Sequence, residues 1–345
     1  MKRFSVIALI LSAIFISSFC LHACNKTDQK RAVTPVAFEI PAGFPSPAFN
    51  FSLQPLTREG IALGQQLFYE DRLSAADFAC SSCHQQEAAF TTFEHDRSHG
   101  YNNSHTRRNA PALSNLAWYP HFRWDGSSTS LDEVAVAHIT APDEMSEQME
   151  NVVSKLNSDA KYKQLFRSAF GDETINSQRI LSALSQFQLS MVSANSKYDK
   201  VKKGSSTFSI YEEMGYTVFR AKCAGCHAEP LFTDFSFRNI GLPADPSLPD
   251  KGLMEATGEK SDSLKFRVPS LRNVAFSSYY MHDGRYPSIL RCIEHYRSGI
   301  QQSNTLDPAL VAGISLSDAD VTNLIAFLRT LSDTSYVTNS RYAKP

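Results

Sequence analysis

Cys80-Ser81-Ser82-Cys83-His84 decides how the chain is read, because the pattern returns as Cys223-Ala224-Gly225-Cys226-His227. Each is a Cys-x-x-Cys-His run, the attachment signal of a c-type haem. The spacing has a chemical cause: two thiols add to the two vinyl groups of one porphyrin, and the next residue offers an imidazole to the iron. A lone Cys-x-x-Cys is equally a redox pair or half of a four-thiolate zinc site. Two complete runs in one chain favour two covalently bound haem c groups. Cys80, Cys83, Cys223 and Cys226 are therefore read as attachment residues, and His84 and His227 as iron ligands.

Composition sets the outer bounds. The chain has 345 residues, 42% hydrophobic and 20% charged, which describes a soluble globular protein with room for two domains. A formal net charge of -1 gives no electrostatic reason to bind nucleic acid. Of seven cysteines, four lie in the haem runs and two, Cys20 and Cys24, in a leader. Cys292 is left over, so no pair remains for an intramolecular disulfide, and it reads as a buried inert thiol.

The leader is residues 1–24. Lys2 and Arg3 precede an apolar run from Phe4 to Phe19, the pattern of an export signal. Leu21-His22-Ala23-Cys24 resembles a bacterial lipobox, with His22 atypical, in which the cysteine becomes a lipidated first residue. An ordinary cleaved signal and an uncleaved membrane anchor are the competing readings. All three place the protein outside the cytoplasm, in the periplasm, where covalent haem attachment occurs. Residues 25–47 read as a tether.

Helical periodicity dominates the remainder of the chain. Thr57 to Glu70 forms a helix with Thr57 as N-cap. Gln85 to Asn109 is a polar loop lying over the haem. Leu131 to His138 is a short helix, and two long helices run from Glu147 to Phe170 and from Ser177 to Ser193. Asn195 to Ser206 is a polar boundary. A helix from Ile210 to Ala221 leads into the second haem run, and Ser317 caps a last one ending at Leu331. Gly64-Gln65-Gln66-Leu67-Phe68 and Gly215-Tyr216-Thr217-Val218-Phe219 share a Gly-x-x-x-Phe pattern, each shortly before a haem run. This internal repeat predicts an all-α protein with two cytochrome-c-like haem domains in tandem, 48–200 and 201–345.

The motifs between the haem runs narrow the class. Arg108-Asn109-Ala110-Pro111, Trp124-Asp125-Gly126, Glu144-Met145, Phe266-Arg267-Val268-Pro269-Ser270-Leu271-Arg272-Asn273-Val274 and His282-Asp283-Gly284 occur in this order. In this the chain resembles the bacterial dihaem cytochrome c peroxidases, a family that includes the MauG-type enzymes, from about Leu56 to Leu331. The resemblance implies that the N-terminal haem meets hydrogen peroxide and the C-terminal haem receives electrons from a small cytochrome c or cupredoxin. It implies a homodimer, since relatives are often dimers. Trp124 matches the tryptophan between the haems, proposed there to carry electrons; taken alone it reads as a packed aromatic. Glu144 matches the carboxylate of the peroxidatic pocket, where it would move the proton of peroxide; taken alone it reads as a solvated first-turn glutamate. A calcium ion between the haems is also implied, with Asn109 as side-chain ligand and Ser277 and Tyr279 as backbone ligands.

The chain departs from the family pattern at three places. Counting back from Glu144, the positions that usually hold glutamine and proline hold Val134 and His138. His138 could ligate iron, shuttle protons or hydrogen-bond. His99 and His105 both lie in the loop that supplies a sixth ligand to the first haem in peroxidase relatives, and neither falls at the matching position, so a five-coordinate iron is an alternative. The resemblance implies a distal ligand for the second haem fourteen residues after His282, where this chain has Tyr296; peroxidases carry methionine there and MauG-type enzymes tyrosine. Met281 is the rival ligand, and core packing is the bland role for Tyr296. The expected function is a dihaem peroxidase reducing hydrogen peroxide to water. A MauG-like enzyme oxidising a protein or small molecule, and a non-enzymatic electron carrier, are the alternatives.

Overall fold

The structure, a computed structural model, describes residues 33–345. The leader and Cys24 lie outside the described residues. Two short antiparallel pairs, β1 (Pro35–Val36) with β2 (Leu56–Thr57) and β3 (Phe237–Arg238) with β4 (Phe266–Arg267), accompany a framework that is otherwise helical.

In the N-terminal half, α1 (Arg58–Phe68) starts where the Thr57 hydroxyl accepts the Gly60 N–H at 3.0 Å, which satisfies one of the free donors of the first turn. The first haem run forms a single turn, α2 (Cys80–Cys83). It is followed by α3 (Leu131–Thr140), α4 (Met149–Asn157), α5 (Ala160–Phe170) and α6 (Ser177–Leu189). Leu63, Leu67 and Phe68 of α1 are fully buried against Ile180, Leu184 and Phe187 of α6. The single helix expected from Glu147 to Phe170 is two. Asp159 accepts the Lys161 N–H at 2.8 Å and also binds Arg72 at 3.0 Å, so it caps a new helix where the apolar spacing runs on unbroken.

The second half repeats the arrangement. The expected polar boundary contains a helix, α7 (Lys197–Lys202), started by a capping box between Ser196 and Asp199. Its Tyr198 is buried among Phe219, Phe232 and Phe327. The elements α8 (Ile210–Lys222), α9 (Met254–Thr257), α10 (Ile289–Glu294), α11 (Asp318–Arg329) and α12 (Thr334–Val337) complete the chain. Ser317 caps α11, with Asp320 closing a capping box. Helix α11 lies across α8, as α6 lies across α1.

The repeated glycines explain the resemblance of the two crossings. A Cβ on Gly64 would stand 1.9 Å from the Ala183 carbonyl oxygen, and one on Gly215 the same 1.9 Å from that of Asn323. Each glycine lets a helix meet its partner's backbone, and the phenylalanine four residues on, Phe68 or Phe219, fills the core beside it. Burying each ring contributes up to ~3 kcal/mol.

Both ends of the described chain tie the halves together. In the stretch read as a tether, Phe38 stacks on Phe51 at 4.2 Å, and the Phe44 ring, edge-on to Trp118 at 5.1 Å, also lies under the Arg272 guanidinium of the second half at 4.7 Å. At the other end, Tyr336 and Tyr342 pack beside Phe90 in the core of the first half. Among the described residues, no helix is long and apolar enough to cross a membrane.

Candidate active site

Each haem run opens onto its own cavity. The first, of about 460 Å3, is lined by Cys80, Cys83 and His84 together with His99, Val134, His138 and Glu144. His84 points its Nδ1 at the Phe90 carbonyl oxygen, 2.9 Å away. Burial drives its imidazole well below its ordinary pKa, to about 4, against the smaller opposing pull of that carbonyl. The ring is therefore neutral, and the hydrogen bond at Nδ1 leaves the Nε2 lone pair for iron. The thiols and the enclosing apolar side chains fit a covalently attached porphyrin.

Glu144 sits in the connection between α3 and α4 rather than in the first turn of a helix. The connection folds back on itself, with the Glu144 N–H donating to Ala141 at 3.1 Å and the Ser146 N–H donating to the same carbonyl at 2.9 Å. The loop over the cavity holds it from the other side. The Tyr101 N–H donates to the Glu144 carbonyl at 2.7 Å, and the Ser104 hydroxyl donates to that of Asp143 at 2.9 Å. His138, on the last turn of α3, hydrogen-bonds through Nδ1 to the Glu144 carboxylate. The two side chains, 36% and 25% exposed, form a hydrogen-bonded pair on the wall of the first cavity. His99 also lines this cavity, with its ring 4.4 Å from that of His105 and 4.5 Å from that of His95. His105 does not reach the cavity wall.

The second cavity, of about 620 Å3, is lined by Cys223, Cys226, His227, Met281 and Tyr296. His227 Nδ1 lies 3.2 Å from the Phe232 carbonyl oxygen and 3.1 Å from that of Pro269, so it is held as His84 is. Directly after α10 the helix widens into a π-helical turn, His295–Gly299, a local unwinding common at functional sites. This turn carries Tyr296, whose hydroxyl has no hydrogen-bond partner among the described residues. Burial, and the neighbouring thiols Cys292, Cys223 and Cys226, push that phenol well above its ordinary pKa. Met281 approaches on a left-handed backbone (φ 72°). Cys292 lines the same cavity, with burial raising its thiol to about 12.

Trp124 and Asn109 line both cavities. The Trp124 indole N–H donates to the Asn109 carbonyl at 2.9 Å, the Asn109 N–H donates to the His282 carbonyl at 2.7 Å, and the Asn109 carboxamide donates to that of Asp96 at 2.8 Å. With its amide nitrogen so committed, buried Asn109 presents its Oδ1 elsewhere. Ser277 and Tyr279 share the second cavity with it, and Tyr279 is also left-handed (φ 65°). A neutral amide oxygen and backbone carbonyls suit a hard cation such as calcium.

Two features were not visible in the sequence. Arg108 lies at the start of a recognised motif, but its partners are remote. It holds Asp250 through two bonds, at 2.6 and 2.8 Å, and Asp125 at 2.5 Å, while Arg107 grips Glu255 at 3.0 and 2.6 Å. This network clasps the segment before Trp124 to a loop of the second half. The other feature is Arg267, which lines both cavities. Only a count of buried charges against available partners could have drawn attention to it.

Two thiol-bearing haem pockets, separated by a tryptophan and each backed by a hydrogen-bonded histidine, define a two-haem c-type redox protein. The comparisons with known proteins agree. The sequence model of the family described as di-haem cytochrome c peroxidase matches residues 58–207. The methylamine utilization protein MauG of Methylorubrum extorquens is 34% identical over 312 residues, which cover 89% of this chain and 86% of that protein. Cytochrome c551 peroxidase of Nitrosomonas europaea is 28% identical, with 95% of this chain and 90% of that protein covered. Among solved structures, a MauG-like protein associated with microbial copper homeostasis matches 90% of this chain and 99% of its own, at 30% identity and a TM-score of 0.81. The diheme peroxidase BthA of Burkholderia thailandensis shares the fold, at a TM-score of 0.71 and 21% identity. The chain belongs to the di-haem cytochrome c peroxidase family, and its cofactors are two haem c groups.

Proposed function

We propose that this chain reduces hydrogen peroxide to water outside the cytoplasm, with electrons delivered one at a time by a small cytochrome c or cupredoxin. The observation that carries this reading is the His138–Glu144 pair on the wall of the first cavity. Bound haem supplies the redox equivalents. The protein has to take a proton from one oxygen of peroxide and return it to the other. Glu144 is the base that accepts it, and His138, hydrogen-bonded to the same carboxylate, orients Glu144 and shares its charge. Trp124, between the cavities, carries electrons from the second haem to the first. Cys80, Cys83, Cys223 and Cys226 hold the haems, His84 and His227 are the proximal ligands, and residues 48–200 and 201–345 correspond to the peroxidatic and electron-transfer domains, apart from Tyr198, which packs in the second core, and Tyr336 and Tyr342, which pack in the first.

The test is steady-state peroxide turnover with a reduced small cytochrome c. Glu144→Gln, loaded with both haems, is expected to lose roughly 10²- to 10⁴-fold, and His138→Ala about tenfold. Full turnover by Glu144→Gln would remove the assignment. Tyr296 supports a second reading, a MauG-like oxidase, because it lines the second cavity beside Cys223 and Cys226, where a phenolate ligand would be expected. Absence of turnover with a reduced donor, together with oxidation of an added protein, is the outcome that favours it. Lipidation of Cys24 and a homodimer remain part of the proposal.

Asn109, with the backbone carbonyls of Ser277 and Tyr279, is the proposed calcium site, since its Oδ1 is the oxygen left uncommitted between the cavities. Prolonged chelation is expected to lower turnover several-fold, with recovery on calcium addition. Unchanged turnover in chelated protein shown by elemental analysis to be calcium-free would dismiss the site.

A further inference from the structure

Arg267 and Arg272 lie five residues apart on one segment, and both are buried. Their surroundings differ. Arg272 has its fork filled, donating to Asp199 at 3.0 and 2.8 Å and to the Pro230 carbonyl at 2.8 Å. Arg267 has no acidic partner among the described residues. Its Nε donates to the Arg123 carbonyl at 3.2 Å, and its backbone N–H donates to that of Trp124 at 2.8 Å. Its guanidinium stacks on the Tyr119 ring, 4.5 Å from the centroid. Its Nη1 is buried with no hydrogen-bond partner. A buried cation without a counter-charge is costly, and proteins avoid leaving one so. Arg267 is also one of the few residues to line both haem cavities.

We infer that Arg267 is a shared anion anchor between the two haems, its free guanidinium edge taking carboxylate groups from the porphyrin edges in both cavities. The chemistry suits it. Guanidinium is planar, permanently charged and able to donate to two carboxylates at once. The Tyr119 ring and the Arg123–Trp124 peptides fix its plane before any haem arrives. The backbone that orients Arg267 is also the backbone of the tryptophan between the haems, so one residue sets the electrostatics of both cofactors beside the route that joins them. This inference rests on the presence of two haems and not on which substrate they serve.

A fixed positive charge near a haem favours the reduced state, so its loss lowers the potential. In Arg267→Gln carrying both haems, both midpoint potentials are expected to fall. Each reduction equilibrium should shift about tenfold, which is ~59 mV for a one-electron couple. Potentials that both stay within about twofold of the parent overturn the inference, and a shift confined to one haem overturns the sharing. Arg267→Lys covers the case in which the glutamine variant fails to load haem. It keeps the charge but loses the fork, so the propionate-bending bands in the resonance Raman spectra of both haems are expected to move while haem content is retained. Unmoved bands overturn the anchor. Neither readout would respond to a residue that only packs.

Discussion

At the scale of single residues, Tyr296 joins geometry to redox chemistry most directly. The π-helical turn at His295–Gly299 places Tyr296 on the wall of the second cavity. A phenolate stabilises ferric iron, whereas a thioether raises the potential. Tyr296→Met is therefore expected to raise the midpoint potential of the second haem and leave the first unchanged, as read by spectroelectrochemical titration. An unchanged second potential would place Tyr296 in the core-packing role and leave Met281 as the ligand. How far such residues were legible depended on what they bond to. The two Cys-x-x-Cys-His runs were readable because the chemistry of haem attachment demands a local spacing. The hydrogen bond between His138 and Glu144 was not, because it depends on how the connection after α3 folds back. Arg267 was legible only as a letter in a motif, since burial without a counter-charge is a property of three-dimensional surroundings.

At the scale of elements, the Gly-x-x-x-Phe repeat was legible as a pattern, and its cause is the helix crossing. Gly215→Ala tests this cause. Alanine is a better helix former than glycine by up to ~1 kcal/mol, so propensity alone predicts stabilisation. The added methyl, however, meets a backbone oxygen at 1.9 Å, and no rotamer change in α11 can withdraw that atom. Overpacking of this kind costs about 1–3 kcal/mol and outweighs the gain. The expected result is a net loss of about 1 kcal/mol or more in denaturant unfolding of the haem-loaded protein, followed through the visible band of the second haem. A stabilised variant would mean that α8 and α11 do not meet so closely. The breaks that periodicity missed have the same local character. Asp159 splits the 147–170 stretch by capping a helix, and Ser196 with Asp199 starts one inside a segment whose composition reads as a linker. In both, a hydrogen bond from a short polar side chain overrides the average character of the window.

At the scale of the whole molecule, electron transfer depends on how the two halves are held, and this was the least legible level because the contacts are long-range. Arg108 bonds Asp250, which lies 142 residues away, and also Asp125, next to Trp124. Asp250 is almost wholly buried as a side chain, at 5% exposure. Burial opposes its ionisation, yet the Arg108 guanidinium outweighs this and keeps its carboxyl below the usual range. The pair is therefore charged at neutral pH, and removing one charge leaves the other poorly compensated in a dry place. Asp250→Asn keeps the shape and removes the charge. It is expected to cost roughly 1–3 kcal/mol of stability, less than complete loss of a buried pair because Asp125 still faces Arg108. If the clasp also sets the position of Trp124, peroxide turnover per loaded haem pair falls several-fold in this variant at a temperature where it remains fully folded. A drop in unfolding midpoint with turnover unchanged would mean that the halves are joined there for stability alone, and that the route between the haems is positioned by the Trp124–Asn109 hydrogen bond without help from the clasp.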